Sequence, residues 1–273
     1  MRPNRLLIAV VVLAVGLVAA VGWAQRRGRF RAMHDFDRGG VPEWQNDPEF
    51  AKDVFTFVRV RYQSWGHSWK WQTDYPDSDL NFSYRLQQLT SLKVDPQGKI
   101  LDLTAPELFD YPFLYLIEPG SLTFADDEVA ALRRYLLNGG FLMVDDFWGE
   151  DEWDNFYHEI KRVFPDRDPV ELPLEHPIFH CVYDLKEKPQ IPSIHAAIYG
   201  RDSGITWERP DAKEVHYKAL FDDHQRMMAI ICHNTDLGDG WEREGEDEWY
   251  FREFSEKKAY PLGINIVFYA MTH

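Results

Sequence analysis

Short apolar runs alternate with amphipathic segments from Asp53 onward, and this alternation restricts the fold more than any other feature of the sequence. The first run, Val54 to Tyr62, is rich in β-branched and aromatic residues, which is typical of a strand. Asp77 or Ser78 then caps a segment whose apolar residues recur at helical spacing, so a helix follows this strand. The residues on its apolar face are Phe82, Leu86 and Leu89.

Two further units of strand and helix follow. The run Phe113 to Ile117 is continuous enough to be buried on both faces, as parallel strands are. Its helix begins with acidic residues at Asp126 and stops at Gly139. Phe141 to Val144 and Glu152 to Val163 form the next strand and helix. The order β-α-β-α-β-α predicts a mostly parallel sheet with helices on both faces, a three-layer α/β sandwich.

The second half of the chain is less regular, because long loops rich in tryptophan, glycine and acidic residues separate its elements. Three more strands and a last helix are expected there. They are Ile178 to Leu185, Lys218 to Asp222, Met227 to His233 and the helix Leu262 to Met271.

The N-terminal residues predict export. Leu6 to Ala24 form a run of nineteen residues without a charge, after Arg2 and Arg5. Its length favours an uncleaved membrane anchor, a hydrophobic helix, whereas the small residues Gly22 and Ala24 fit a signal-peptide cleavage site. More arginines follow the run than precede it, which conflicts with an exported domain on an uncleaved anchor. Both alternatives stay open for residues 1 to 24, and export by either route places the chain in the cell envelope, periplasmic or membrane-anchored.

Composition limits the partners of the rest of the chain. Residues 25 to 52 have no apolar period and predict a flexible tether, which leaves residues 53 to 273 as the α/β domain. The formal net charge of -15 repels phosphate backbones, which argues against nucleic acid as a partner. The only cysteines, Cys181 and Cys232, exclude multi-cysteine metal sites and leave a single disulfide open.

The loop after the first strand carries three tryptophans, Trp65, Trp69 and Trp71. Ligands of open α/β sheets bind beyond the carboxyl ends of the strands, so this loop is a candidate binding region. The indole rings could stack on a sugar or a peptide. They could equally cover the edge of the sheet as a small core, which is the plainer interpretation.

Asp145 and Asp146 directly follow the strand that begins at Phe141. Adjacent carboxylates could hold a divalent cation or act as acid and base, since close like charges separate their pKa values. Alternatively, Asp145 ends the strand and Asp146 caps the next helix. Trp148 in the same loop is a candidate ligand contact. His176 is the candidate catalytic histidine, because Pro177 fixes an extended loop that could present it at the strand ends.

A third candidate loop follows the strand that ends at His233. Its Asp, Asn and Gly residues resemble a calcium loop, but the sixth and twelfth positions from Asn234 lack the Gly and Glu that an EF-hand needs. Oxygen ligation in another geometry and an ordinary turn are the alternatives. His233, Asn234 and Asp236 are therefore candidate ligand-binding residues.

Common catalytic signatures are absent from the sequence. It contains no G-x-S-x-G elbow, no G-x-x-x-x-G-K-[ST] phosphate loop, no G-x-G-x-x-G fingerprint and no H-E-x-x-H helix. The sequence therefore requires no cofactor, and a divalent cation stays open.

Several blocks, in order along the chain, resemble the bacterial domain of unknown function 4159. They span roughly residues 53 to 272 and are Phe57 to Tyr62, Thr73 to Pro76, Asp110 to Tyr115, Leu136 to Asp146, His176 to Phe179 and Gly263 to Ala270. This family is similar in fold to class I glutamine amidotransferase-like and ThuA-like domains. The resemblance implies a flavodoxin-like fold.

The same resemblance bears on chemistry. Glutamine amidotransferases carry a nucleophilic cysteine in a tight elbow after the comparable strand, where this chain has Asp145 and Asp146, so amidotransferase chemistry is not implied. ThuA-like proteins, which are linked to sugar metabolism, are similar at Gly139-Gly140 and at His176-Pro177-Ile178. This keeps a carbohydrate ligand as an analogy at the level of the fold.

Two functions from different classes follow. The first is a non-enzymatic, envelope-associated domain that binds a ligand or an envelope protein at the carboxyl ends of the strands. The second is a hydrolase or lyase of carbohydrate-like substrates, with Asp145, Asp146 and His176 as metal ligands or as acid and base. A purely structural envelope component would instead bury the tryptophan loop and have no pocket.

Overall fold

The strands of the molecule are built from the apolar runs of the sequence. The computed structural model describes residues 38–50, 53–66 and 69–273. The predicted export segment, residues 1 to 24, and most of the predicted tether lie outside these residues. The strands are β1 (Val58–Arg61), β2 (Gln63–Ser64), β3 (Lys99–Asp102), β4 (Phe113–Ile117), β5 (Leu122–Thr123), β6 (Phe141–Asp145), β7 (Val170–Glu171), β8 (His216–Phe221) and β9 (Met227–His233).

Seven of these strands form one sheet in the order β3-β1-β4-β6-β9-β8-β7. The first five in that order are parallel, and β8 and β7 add to the sheet as antiparallel strands. Numbered along the chain, the parallel strands lie in the order 2-1-3-4-5, which is the flavodoxin-like arrangement. The predicted α/β fold with a mostly parallel sheet is confirmed.

Helices cover both faces of this sheet. They are α1 (Asp77–Leu89), α2 (Asp126–Leu137), α3 (Gly149–Val163), α4 (Ile194–Gly200), α5 (Leu237–Glu242), α6 (Glu248–Tyr250) and α7 (Tyr260–Thr272), and a π-helical segment (Phe251–Ala259) joins α6 to α7. Side chains of β4 alternate between two cores: Tyr115 packs in the core that includes α1 and α7, and Leu116 in the core of α2 and α3. No helix among the described residues is long and apolar enough to cross a membrane.

The strand predicted over Ile178 to Leu185 is wrong. Pro177–Phe179 form a single 3₁₀ turn, and the Asn265 side chain accepts the amides of Val182 and Tyr183, at 3.1 and 2.8 Å. A side chain of α7 thus takes hydrogen bonds that a neighbouring strand would otherwise supply.

The edge strand β3 and the state of the two cysteines could not be predicted from the sequence. The edge strand β3 was not expected, because its four residues are too short to show a period. Both cysteines are free: Cys232 is buried in β9, and Cys181 Sγ donates to the carbonyl of Asn265. The disulfide left open by the sequence is not formed.

Candidate functional site

A cleft of about 530 Å³ opens at the carboxyl edge of the sheet, beyond β1 and β4. These neighbouring strands are where the strand order reverses, and open α/β sheets bind ligands at such a switch point. The cleft is lined by Trp65, Gly66, Lys70, Glu118, Gly120, Ser121, Asp146, Trp148, Asp151, Glu152, Glu208 and Arg209. A larger cavity, of about 630 Å³, lies by residues that precede the same strands, such as Thr56 and Pro112, and so at the opposite edge.

Backbone conformation marks the carboxyl edge as unusual. Glu118, Asp146 and Asn234 each follow the last residue of a parallel strand, and their φ angles are 47, 57 and 62°. Asp74, in the loop after β2, has φ 62°. Non-glycine residues seldom adopt this left-handed region, and such residues cluster at functional sites.

Asp145 is the last residue of β6 and is fully buried. Its Oδ2 accepts hydrogen bonds from the Tyr115 hydroxyl and from the Gly238 amide, each at 3.0 Å. Burial raises the pKa of Asp145 to about 7, although the surrounding hydrogen bonds favour the ionised form. No hydrogen bond of good geometry reaches its Oδ1 from the described residues.

Asp146 turns the chain from β6 towards α3 and lines the cleft. Its Oδ1 accepts from the Trp148 indole at 3.2 Å. The alternative that Asp146 caps α3 is wrong, since the residue at the cap is Trp148, whose amide donates to Glu152. Burial raises the pKa of Asp146 well above its usual value, and the charges of Glu118 and Asp74 add to that rise.

Asp146 belongs to a group of three carboxylates. Asp74, Asp146 and Asp236 each place one oxygen within 4.8 Å of the other two. Burial comes first among the causes that raise the pKa of Asp74 and Asp236 well above the usual value, and repulsion between neighbouring acids comes next. Arg59 lowers the pKa of Asp74, but no ion pair joins a lysine or arginine to these three among the described residues.

A buried arginine positions the loop that carries Asp74. Arg59 in β1 is fully buried and forms a bidentate ion pair with Asp79, with 2.5 Å between Nη2 and Oδ1. Its Nη1 donates to the carbonyls of Trp71 and Thr73, at 3.0 and 2.9 Å. The guanidinium therefore fixes the chain directly before Asp74.

The tryptophans occupy different environments. Trp71 is buried in the core of α2 and α3, as the plainer interpretation expected. Trp65 and Trp69 are 64% and 67% exposed, and only Trp65 of this pair lines the cleft, with its indole donating to Asn155 at 3.1 Å. Trp148 is buried but reaches the cleft wall.

The third candidate loop holds α3 and α5 in place. His233 and Asn234 both contact Gly149, the first residue of α3: His233 Nε2 donates to its carbonyl at 3.0 Å, and Asn234 Oδ1 accepts its amide at 2.8 Å. Asp236 caps α5 by accepting the amide of Asp239 at 2.7 Å. Of these candidates, only Asp236 joins the carboxylate group.

His176 is not brought to the carboxylates. Its Nδ1 accepts the amide of Ile178 at 3.3 Å, and its ring packs on Tyr269, near the C-terminal end of α7. Burial lowers its pKa, and the nearby His273 acts in the same direction. Asp145 and Asp146 thus lie together, whereas the predicted catalytic histidine lies apart from them.

Several residues of the site were not expected from the sequence. Asp74 and Lys70 lie in the tryptophan loop, and Glu118, which pairs with Lys70, directly follows β4. Asp239 and Glu242 in α5 also approach Asp74. The position of Glu118 at a strand end was a usable signal, whereas Arg209 reaches the cleft from a distant loop that the sequence pattern does not mark.

Comparison with known proteins identifies one family that matches the chain. Residues 56–271 match the model of the family described as Domain of unknown function (DUF4159). No curated protein matches the chain.

Proposed function

The chain belongs to the DUF4159 family of domains of unknown function, and we propose that it is a ligand-binding domain whose site is the cleft beyond β1 and β4. The observation that carries this proposal is the position of the cleft. It lies at the switch point of a flavodoxin-like sheet, where the loops after two parallel strands diverge and leave a crevice.

The lining favours a polyhydroxyl ligand without negative charge. Its acidic side chains, Glu118 and Asp146 among them, outnumber the two basic ones, Lys70 and Arg209. Carboxylates accept hydrogen bonds from hydroxyl groups and repel anions. The exposed face of Trp65 offers a surface on which the C–H groups of a sugar ring can pack. A neutral or amino-substituted carbohydrate matches this combination.

Binding without turnover is our first interpretation. Asp146 follows the end of β6, at the position where glutamine amidotransferases carry a nucleophilic cysteine. The cleft therefore has a carboxylate there and not a thiol. Neither cysteine reaches the cleft: Cys232 is buried within β9, and Cys181 packs on Asn265. The cleft is therefore proposed to select a ligand by hydrogen bonds and ring packing.

We place this activity in the cell envelope. The uncharged run Leu6 to Ala24 supports export, either as a signal peptide or as an anchor that ties the chain to the membrane. A carbohydrate or an envelope protein would meet the cleft there.

A melting screen of the full chain in detergent micelles tests the proposed binding. Neutral, amino and acidic mono- and oligosaccharides are added, and Asp146→Asn is compared with Asp154→Asn, an exposed residue of α3 that does not line the cleft. A neutral or amino sugar should raise the melting temperature of wild type and Asp154→Asn, and Asp146→Asn should lose most of the rise. No rise with any sugar, or an equal rise in Asp146→Asn, would refute the proposed site.

Acid/base hydrolysis of a carbohydrate-like substrate is the second candidate. Asp146 and Glu118 both line the cleft, and burial raises the pKa of each, but the ammonium of Lys70 forms an ion pair with Glu118 and opposes the rise there. Environments that separate two carboxyl pKa values suit one acid and one base. Release of reducing sugar by wild type, abolished in Glu118→Gln, would favour this candidate, and unchanged oligosaccharides would favour binding alone.

A further inference from the structure

Three carboxylates without a lysine or arginine ion-pair partner among the described residues lie together beside the cleft. Asp146 comes from the end of β6, Asp236 from the cap of α5 and Asp74 from the tryptophan loop, and their nearest oxygens lie within 4.8 Å of each other. Asp146 is 7% exposed and Asp236 is 4% exposed. Among the described residues, no lysine or arginine forms an ion pair with any of the three. Arg59 acts on Asp74 but is paired with Asp79. Lys70 acts on Asp146 but is paired with Glu118.

Orphaned oxygens lie beside this group. Asp145 is fully buried, and among the described residues no hydrogen bond of good geometry reaches its Oδ1 or Oδ2 of Asp74. Asp145 adjoins the same group, because it directly precedes Asp146 in the chain and its charge acts on both Asp146 and Asp236. Gly238 lies close to both carboxylates. Its amide donates to Asp145, and a Cβ at this position would lie 2.5 Å from Asp74 Oδ2. A buried acceptor without a donor costs free energy unless a ligand satisfies it.

From this arrangement we infer that Asp74, Asp146 and Asp236 bind one hard divalent cation, Ca²⁺, Mg²⁺ or Mn²⁺, with Asp145 beside it. Such ions take carboxylate oxygens at about 2.0–2.6 Å, so two oxygens across one ion lie at most roughly 4–5 Å apart. The three ligand oxygens lie within 4.8 Å of one another, which is inside the span of Ca²⁺, whereas Mg²⁺ needs them drawn slightly closer. Water would complete the coordination on the side of Asp146, which lines the cleft.

The neighbouring acidic group is not the site. Asp239 and Glu242 also approach Asp74, but Arg243 already pairs with both, at 3.4 and 2.5 Å. Asp239 Oδ2 further accepts the amide of Ile194 at 2.5 Å. Arg243 thus neutralises the acidic side chains on the α5 side of Asp74, whereas no lysine or arginine among the described residues forms an ion pair with Asp146 or Asp236.

The inference does not depend on which sugar, if any, fills the cleft. Asp74 and Asp236 do not line the cleft, so their variants report on the cation alone. Asparagine can keep the local geometry at both positions: it tolerates the left-handed backbone of Asp74 and can accept the capping amide at 236. Asp247→Asn is the matched control, because Asp247 caps α6 in the same way by accepting the amide of Tyr250.

The test uses the full chain in detergent micelles at neutral pH, first with EDTA and then with CaCl₂, MgCl₂ or MnCl₂ at matched ionic strength. Calorimetric titration should show one cation per chain in wild type and in Asp247→Asn. At one hundred times Kd the cation should raise Tm by about 5 °C or more. In Asp236→Asn and Asp74→Asn the affinity should fall at least about tenfold, while Tm in EDTA should rise because repulsion is relieved.

Absence of heat and of any melting shift with all three cations in wild type would overturn the inference. So would equal affinity in wild type and Asp236→Asn, which would locate the bound ion elsewhere. The rise of Tm in EDTA guards against misfolding, since a variant that merely unfolds would melt lower. Sugar binding that survives in Asp236→Asn would leave the proposed function intact while the cation is lost.

Discussion

The amide of Gly238 donates a hydrogen bond to Asp145 Oδ2 over 3.0 Å and so joins the first turn of α5 to the end of β6. The Tyr115 hydroxyl of β4 reaches the same oxygen. One buried carboxylate therefore connects β4 and the end of β6 to the helix after β9. This connection sets the position of the acidic group next to the cleft.

Gly238→Ala should disturb this connection. An added Cβ would lie 2.5 Å from Asp74 Oδ2 and 2.8 Å from the Tyr115 hydroxyl, closer than atoms can approach. The strain should lower the free energy of unfolding by about 1–3 kcal/mol, more than the higher helix propensity of alanine returns. Denaturant titration measures the change. An alanine variant as stable as wild type would show that Asp74 does not approach Gly238 this closely.

Arg59→Lys should destabilise the chain and displace Asp74. Lysine keeps the charge but cannot bind Asp79 bidentately while donating to the Trp71 and Thr73 carbonyls. We expect a loss of about 2–4 kcal/mol in unfolding free energy, in the range for a broken buried pair. The control is Arg61→Lys, whose partner Asp102 is exposed, and it should cost less than about 1 kcal/mol. Similar losses in the two variants would contradict a positioning role for Arg59.

His233 should make stability depend on pH. Burial lowers its pKa from 6.5 to about 4, and nearby His216 and Lys218 act in the same direction, against the Gly149 carbonyl and Asp211. Between these pH values His233 is protonated in the unfolded chain but neutral in the folded chain. Stability therefore falls as pH drops from about 6.5 to 4.

The size of this effect is on the order of 3 kcal/mol for the histidine alone. His233→Gln can keep the donor to Gly149 without titrating, so its unfolding free energy should change less across the same interval. Denaturant titrations at several pH values compare the two proteins. Parallel pH profiles would mean that His233 takes up a proton in the folded chain as easily as in the unfolded one.

Sequence patterning was sufficient for the central strands of the sheet but not for its edge strand β3, because only continuous runs such as Phe113 to Ile117 are recognisable as buried strands. It also placed Asp145 and Asp146 correctly at a strand end. It was misleading at Ile178 to Leu185, where an apolar run lies under α7 and hydrogen-bonds to the Asn265 side chain instead of forming a strand.

The acidic group could be predicted only in part. Asp146 and Asp236 follow strands, and strand ends meet at one edge, so their proximity follows from the order of elements. Asp74 comes instead from a loop whose course depends on Arg59, a buried charge with no local pattern. A hydrogen bond from one long side chain to a separate segment produces no hydrophobic periodicity, so the sequence pattern does not reveal it.

Binding of oligosaccharides by paired tryptophan variants of the full chain tests the central claim, that the cleft is the ligand site, most directly. Trp65 and Trp69 are almost equally exposed, yet only Trp65 lines the cleft. Calorimetric titration with a panel of neutral and amino oligosaccharides should give at least about a fivefold loss of affinity in Trp65→Ala, matching roughly 1 kcal/mol of ring packing, and no change in Trp69→Ala. Equal affinities in both variants and wild type, or a loss confined to Trp69→Ala, would contradict the account.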